Sequence, residues 1–326
     1  MLATIVRRLL QTLLVVLIMS ALVFGGLYLV GDPVDMLASP EATEAQRELI
    51  RQSFGLDQPL WRQYGIFLSK ALQLDFGASF LTGESAMHLI LERMPATLEL
   101  ATLAMFLSLV IGVPLGVYAG LKPNSKGARG VMAGSVLGFS LPNFWVGLML
   151  IMLFAVMLGW LPAGGRGAVE SFGPIKLSIF NWDGFKNLIL PASTIAVAKC
   201  ALIIRVTRAA TRECLPQDYI KFARAKGLRE RRVLGVHLMK NILIPIVTIG
   251  GLEYGQVFAF AVVTETVFSW PGMGKLLIDS IITLDRPVVV AYLMLTVVFL
   301  ATLNLLVDIA YTVLDPRVRL GGGSAT

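Results

Sequence analysis

Two charged side chains lie in the middle of long apolar stretches, where an isolated charge is costly. Lys199 falls within PASTIAVAKCALIIRV, and Glu253 falls within IVTIGGLEYGQVFAF. Ionisable residues in apolar surroundings usually pair with one another or line a polar path. The sequence leaves both interpretations open: the two residues form a buried pair between neighbouring helices, or they face such a path.

Other groups that could support catalysis or bind a metal are scarce. His88 and His237 are the only histidines, and they are predicted on opposite sides of a membrane, whereas metal ligands must converge. The nearest match to a phosphate-binding loop, SWPGMGKL, has Ser269 in place of the first glycine and Leu276 in place of the final Ser or Thr. We therefore predict that the chain is not an enzyme and binds neither a metal nor a cofactor.

The composition identifies the elements that must position these residues. Of the 326 residues, 56% are hydrophobic and only 15% are charged, whereas a soluble chain carries about 25% charged residues. Six apolar stretches are long enough to cross a bilayer, which takes about 20 helical residues. The predicted spans are residues 9–30, 97–121, 131–160, 188–207, 242–264 and 288–314. We predict an all-α polytopic protein that contacts membrane lipid and no nucleic acid.

The distribution of Lys and Arg predicts the orientation, because cytoplasmic loops are enriched in both. With the N-terminus inside, the ten basic residues from Arg205 to Lys240 lie in one cytoplasmic loop or at its border. Both termini are then cytoplasmic, and the expected location is a bacterial inner membrane. Arg7 and Arg8 precede a first span that we interpret as uncleaved, since its apolar run is too long for a signal peptide.

The region between the first two spans carries helix signals on the outer side. Ser39 and Pro40 predict a helix start, Gly55 predicts its end, and residues 60–71 have helical apolar spacing. Two short amphipathic helices on the outer membrane surface would result. They are a structural cover, a lid or a docking platform for an external partner.

The basic loop, about residues 208–241, contains QDYIKFARAKGLRERRVLG. Tyr219, Phe222 and Ala223 share one face of a short predicted helix, and Gly227 suits a left-handed helix end. Positive charge alone fits an ordinary inner loop. A short helix with an apolar face can also seat in a groove of a soluble partner and transmit its motion to the spans.

The loop resembles the EAA loop of ABC-importer permeases, in the dipeptide, oligopeptide and nickel branch of that family. The residues that carry the resemblance are Asp218, Tyr219, Ala223, Arg224, Ala225, Lys226, Gly227, Leu228, Val233, His237, Asn241 and Pro245. Further similar segments are Phe54–Leu68, Leu74–Phe80, Arg93–Ala101, Ile111–Gly120, Ser140–Leu148, Leu158–Gly165, Val263–Leu277 and Asn304–Leu320. The chain departs from the family at Phe258–Ala261, where many relatives are rich in glycine.

The resemblance implies a type I ABC-importer permease fold with a coupling helix between spans 4 and 5. The implied ATPase-coupling residues are Tyr219, Phe222, Ala223, Arg224, Ala225, Lys226, Gly227 and Leu228. Residues near the outer side are candidates for an outer gate or a binding-protein contact: Glu265, Phe268, Trp270, Pro271 and Gly272. We divide the chain into a first span with its outer region (1–96) and a permease core (97–320), and interpret residues 321–326 as a cloning remnant.

The implied partners are a homologous second permease, two cytoplasmic ATPase subunits that hold ATP and Mg²⁺, and an extracytoplasmic solute-binding protein. Di- or oligopeptides are the favoured solutes, with glutathione, nickel chelates, sugars and opines as alternatives. The competing hypothesis is a self-sufficient secondary transporter or channel. Such a protein would show inverted repeats, broken half-helices and ion ligands at the midplane, and the sequence shows no such repeat.

Overall fold

The computed structural model describes residues 2–29, 43–53, 57–173 and 175–314, and these are predominantly helical. In chain order the helices are α1 (Leu2–Leu29), α2 (Glu44–Ser53), α3 (Leu60–Leu72), α4 (Ala86–Leu121), α5 (Lys126–Ser140), α6 (Asn143–Leu150), α7 (Trp182–Cys214), α8 (Asp218–Ala225), α9 (Glu230–Arg232), α10 (Met239–Phe260), α11 (Val262–Val267), α12 (Met273–Ile282) and α13 (Arg286–Leu314). A π-helical turn, Ile151–Met157, continues α6, and another, Val233–Leu238, joins α9 to α10.

Among the described residues, five helical segments are individually long and apolar enough to cross a membrane, and a bent pair supplies a sixth candidate. The single segments are Val6–Gly26, Ala86–Leu121, Trp182–Cys214, Glu230–Phe260 and Arg286–Ala310. Their number and order agree with the predicted multi-pass helical fold. Several extend beyond the predicted limits, because polar residues at their ends continue the helix outside the apolar window.

The predicted third span, 131–160, is not one straight helix. The chain forms two helices there, Lys126–Ser140 and Asn143–Met157, which meet at an angle of 105°. Pro142 has no backbone N–H to donate, and a proline disfavours helical geometry at the preceding residue. Leu141 accordingly has an extended conformation, with φ −83° and ψ 134°.

A small hairpin in the loop before α7 is an exception to the all-α prediction. Strands β1 (Glu170–Phe172) and β2 (Ile175–Leu177) pair antiparallel, with Glu170 opposite Leu177 and Phe172 opposite Ile175. Both strands have only three residues. Such short strands give no periodic signal that a sequence could reveal, so the hairpin was not predicted.

The chain forms two compact units. One contains Leu2–Glu92 and Leu277–Ala301, and the other contains Arg93–Leu276 and the chain from Thr302 onward. In the first unit, α3 packs on α1: the Ser20 and Tyr64 hydroxyls are 2.8 Å apart, and the Phe24 and Phe67 ring centroids are 5.6 Å apart. The two predicted outer helices are present as α2 and α3. Ser39, Pro40 and Gly55, which were predicted to delimit the first of them, lie outside the described residues.

In the second unit, α4 and α7 approach closely along a row of small residues. A methyl group built on Gly116 would lie 2.6 Å from Thr207 Cβ, and one on Gly120 would lie 2.6 Å from Thr211 Cβ. No real Cβ atom tolerates such distances, so these glycines let the two helix backbones pack directly. The main apolar core lies beside this contact and includes Leu100, Leu188, Ile203, Val257 and Trp270.

Candidate functional site

The short helix α8 of the basic loop is closed by its own backbone hydrogen bonds. Gly227 has φ 71°, so the predicted left-handed end is confirmed. Its N–H donates to the Arg224 carbonyl (2.9 Å), and the Leu228 N–H donates to the Ala223 carbonyl (3.3 Å). This pair of bonds is the Schellman arrangement, which satisfies carbonyls that a helix end otherwise leaves unpaired.

One face of α8 is anchored in the chain itself. Ile220 is fully buried and Ala223 is only 4% exposed, in an apolar cluster with Val233, Leu238 and Ile242. Tyr219, Phe222 and Ala223 were predicted to share the face that meets a soluble partner, and this is wrong for Ala223. Ala223 faces the body of this chain, and the sequence prediction did not name its partner Ile220. On an eight-residue helix the tertiary contacts, rather than the spacing, decide which stripe turns inward.

The other face of α8 is accessible. Tyr219 is 37% and Phe222 is 62% exposed, and they border a shallow surface depression with Asp218, Lys221 and Ala225. The Lys226 ammonium lies 4.6 Å from the centroid of the Phe222 ring. This face is thus a small apolar patch bordered by charges.

Charged pairs fix α8 and its connection to the next helix. Lys221 Nζ lies 3.0 Å from Asp218 Oδ1, and an Arg224 guanidinium nitrogen lies 2.6 Å from Glu230 Oε1. The hydrogen bond to Glu230 is the main cause that raises the pKa of Arg224 above its ordinary value. Both pairs are exposed to solvent and contribute little to stability. The Lys221–Asp218 pair lies within α8, and the Arg224–Glu230 pair connects α8 to α9.

Lys199 on α7 and Glu253 on α10 meet, as one of the two predictions expected. Lys199 Nζ donates to Glu253 Oε2 and lies 3.5 Å from Gln256 Oε1. The pair is largely but not fully covered, with 19% of the Lys199 side chain and 13% of the Glu253 side chain exposed. Two helices that are distant in sequence are thereby joined by a charged contact, near the middle of α7 and about two thirds of the way along α10.

Family models match nearly the whole chain. The family described as "Binding-protein-dependent transport system inner membrane component" matches residues 112–320, and the N-terminal model of such membrane components matches residues 1–101. The chain belongs to this family of transport permeases. It is a multi-pass permease subunit of an ABC importer.

Curated relatives of this permease carry transport names. The chain is 39% identical to the oligopeptide transport system permease protein AppB of Bacillus subtilis (strain 168), over 98% of the chain and 100% of AppB. It is 40% identical to the di/tripeptide transport system permease protein DppB of Pseudomonas aeruginosa (strain UCBPP-PA14), over 89% and 90% of the two chains. It is 37% identical to the glutathione transport system permease protein GsiC of Escherichia coli (strain K12), over 98% and 99%.

Solved structures support the type I permease fold. Two inward facing structures of the MetNI methionine ABC transporter each match 70% of this permease and 97% of the compared chain. Their TM-scores are 0.56 and 0.57, at 18% and 19% sequence identity. At this identity the likeness concerns the fold alone.

The proposed outer gate residues of the permease are mostly inaccessible. Glu265 and Trp270 are fully buried and Phe268 is nearly so, which contradicts a direct contact of these side chains with a docked protein in this conformation. A methyl group on Gly272 would lie 2.2 Å from a Glu265 carboxylate oxygen, so Gly272 is also enclosed. Only Pro271 is half-buried.

Glu265 holds the start of α12 against α4. Its carboxylate accepts hydrogen bonds from the Thr97 hydroxyl (2.7 Å) and the Lys275 N–H (2.9 Å), while the Trp270 indole donates to the Ala96 carbonyl (2.9 Å). Burial raises the pKa of Glu265, and the hydrogen bond from Thr97 opposes that rise. These contacts position the segment from inside and give Glu265 a structural role.

Glu99 and Arg166 anchor the loop that precedes α7, and the sequence prediction did not name Arg166. Arg166 donates to Glu99 Oε2 at 2.6 Å, and the Ser178 and Ile179 N–H groups donate to Glu99 Oε1 at 2.5 and 3.1 Å. The guanidinium also lies 5.9 Å from the Trp270 ring centroid. The buried carboxylate thus holds together the loop that carries the hairpin.

Proposed function

We propose that this permease forms half of the membrane pathway of an ATP-driven peptide importer in a bacterial inner membrane. A homologous second permease supplies the other half, and two cytoplasmic ATPase subunits bind ATP and Mg²⁺. An extracytoplasmic solute-binding protein delivers the peptide. Both termini of the permease are cytoplasmic in this arrangement, as the distribution of Lys and Arg favours.

The observation that carries this proposal is the two-faced geometry of α8. Ile220 and Ala223 pack the helix against the rest of the chain, while Tyr219 and Phe222 offer an accessible apolar patch. An aromatic patch bordered by charges suits the cleft of a soluble partner. Because the inner face shares one cluster with the start of α10, a displacement of α8 is transmitted to a membrane helix.

Peptides are the proposed solutes because AppB and DppB are named as oligopeptide and di/tripeptide permeases. Glutathione, the solute in the name of GsiC, is itself a tripeptide. The binding protein is expected to select among such solutes, and the permease pathway to accept what it delivers.

The decisive experiment compares the permease alone with the complex expressed from its neighbouring genes. We expect the isolated chain to hydrolyse no ATP and the complex to contain both ATPases. Vesicles that hold the complex should accumulate labelled peptide only with ATP and the binding protein. ATP turnover by the isolated chain, or peptide uptake driven by an ion gradient without ATPases, would instead support a self-sufficient transporter.

A further inference from the structure

A polar cluster lies between α7 and α10, far from either end of α7. It consists of Lys199, Glu253 and Gln256, joined through the Lys199 ammonium. Lys199 is 17 residues from the start of α7 and 15 residues from its end. At 1.5 Å per residue, the ammonium is therefore attached about 20–25 Å from each end of the helix.

The cluster is open on one side. Gln256 is exposed, and the side chains of Lys199 and Glu253 keep 19% and 13% of their surface accessible. Acyl chains cannot hydrogen-bond to these groups, and exposing them to lipid at mid-depth is unfavourable. The open side must therefore face water or protein.

Packing alone does not require charges at this place. Replacing a buried ion pair with apolar residues of similar volume is often neutral or even stabilising, so apolar side chains would join α7 to α10 equally well. What the pair adds is a set of accessible polar groups that can exchange partners. An ammonium can bind a passing carboxylate, and a carboxylate can bind a passing ammonium, through charge-assisted hydrogen bonds.

We propose that Lys199, Glu253 and Gln256 form a polar contact within the transport path, and that it binds the charged termini of zwitterionic peptides during passage. Lys199 binds the peptide carboxylate and Glu253 binds the peptide ammonium. Gln256 lies beside these two residues when their ion pair has opened. This inference rests on the proposed peptide importer and assigns residues to its path.

The first test measures access to the cluster in the complete complex. Gln256→Cys is introduced with Cys200→Ser and Cys214→Ser and treated with a membrane-impermeant maleimide in detergent, with Leu13→Cys as a control on the exposed face of α1. We expect Gln256→Cys to react faster than Leu13→Cys, and ATP with vanadate to change its rate. A Gln256→Cys as unreactive as the control in both nucleotide states would show a cluster closed to water and overturn the proposal.

The second test measures peptide contact without the binding protein, so that the selectivity of the binding protein does not affect the result. Trialanine is titrated against maleimide labelling of Gln256→Cys, beside its C-terminal amide and its N-acetyl analogue. We expect trialanine to protect the cysteine, and each blocked analogue to need about tenfold more for equal protection, because a charge-assisted contact is lost. Equal protection by all three, or none by any, would contradict terminus binding.

Variants then assign the termini. Lys199→Met should make trialanine and its amide protect the cysteine at equal concentrations. Glu253→Gln should do the same for trialanine and its N-acetyl analogue. Lys122→Met, at an exposed lysine elsewhere, should leave both differences in place. If Lys199→Met kept both differences, Lys199 would only join two helices. Peptide uptake by vesicles with the unaltered complex is measured separately, so a failure of the importer hypothesis is told apart from a failure of this site.

Discussion

The two faces of α8 predict different consequences in the isolated chain for two substitutions at neighbouring residues. Ala223 is 4% exposed within the apolar cluster, so Ala223→Asp would place a carboxylate among Ile220, Val233 and Leu238 without a partner. We expect a local cost of about 2–4 kcal/mol. Phe222 is 62% exposed, so Phe222→Asp should cost the isolated chain less than about 1 kcal/mol, including the lost contact with Lys226.

The assay is limited trypsin digestion of the purified permease, because the loop is rich in Lys and Arg. Ala223→Asp should make the loop markedly more sensitive in the isolated chain, whereas Phe222→Asp should leave its digestion unchanged. In the complex both variants should lose ATPase subunits and uptake. Phe222→Asp should do so through the docking surface alone. Loss of an aromatic contact worth about 2 kcal/mol would lower the affinity for the ATPases about 30-fold. Phe222→Tyr is the matched control and should retain both.

One result would refute this reasoning. If Ala223→Asp lost the ATPases while the loop of the isolated chain stayed as resistant to trypsin as the unaltered protein, Ala223 would contact the partner directly. The inward face assigned to Ile220 and Ala223 would then be wrong. If Phe222→Asp retained the ATPases and full uptake, the accessible face of α8 would not be the docking surface.

Three further predictions concern the helix end, the helix contact and the ion pair. Gly227→Val should destabilise the loop by about 1–2 kcal/mol, because valine resists positive φ, and Gly227→Asn should destabilise it clearly less. Trypsin digestion compares the two variants, and equal sensitivity would contradict backbone strain at this position. Gly116→Leu should overpack the α4–α7 contact, at a cost of about 1–3 kcal/mol, and so lower the thermal midpoint of the purified permease. An unchanged midpoint would mean that these two helices separate easily. Lys199→Met and Glu253→Gln should each destabilise more than the double variant does, since each alone strands a charge, and strictly additive midpoint shifts would rule out coupling.

Several features of the fold followed from residue chemistry alone. The long apolar stretches require membrane helices, because a polypeptide in a bilayer must satisfy its backbone hydrogen bonds internally. Gly227 predicted a left-handed helix end, and the structure has it at φ 71°. Lys199 and Glu253 were predicted as possible partners because an unpaired charge at that depth is costly, and they do meet.

Other features depended on which surfaces meet in three dimensions. The spacing of α8 permits both the Tyr219–Phe222–Ala223 stripe and the Ile220–Ala223 stripe, and only packing against the start of α10 turns Ala223 inward. Glu265 and Trp270 were candidates for an outer gate or a binding-protein contact, but both are fully buried and hydrogen-bond with α4.

The sequence by itself determined the class of environment, the order of the helices and the conformation at Gly227, since each depends on hydrophobicity or on local steric limits. The tertiary structure alone decided the inward face of α8, the burial of Glu265 and the partnership of Arg166 with Glu99. These depend on contacts between residues that are distant in the chain: Arg166 and Glu99 are 67 positions apart. No local pattern encodes such a distance, because the choice of partner is made by the packing of whole helices.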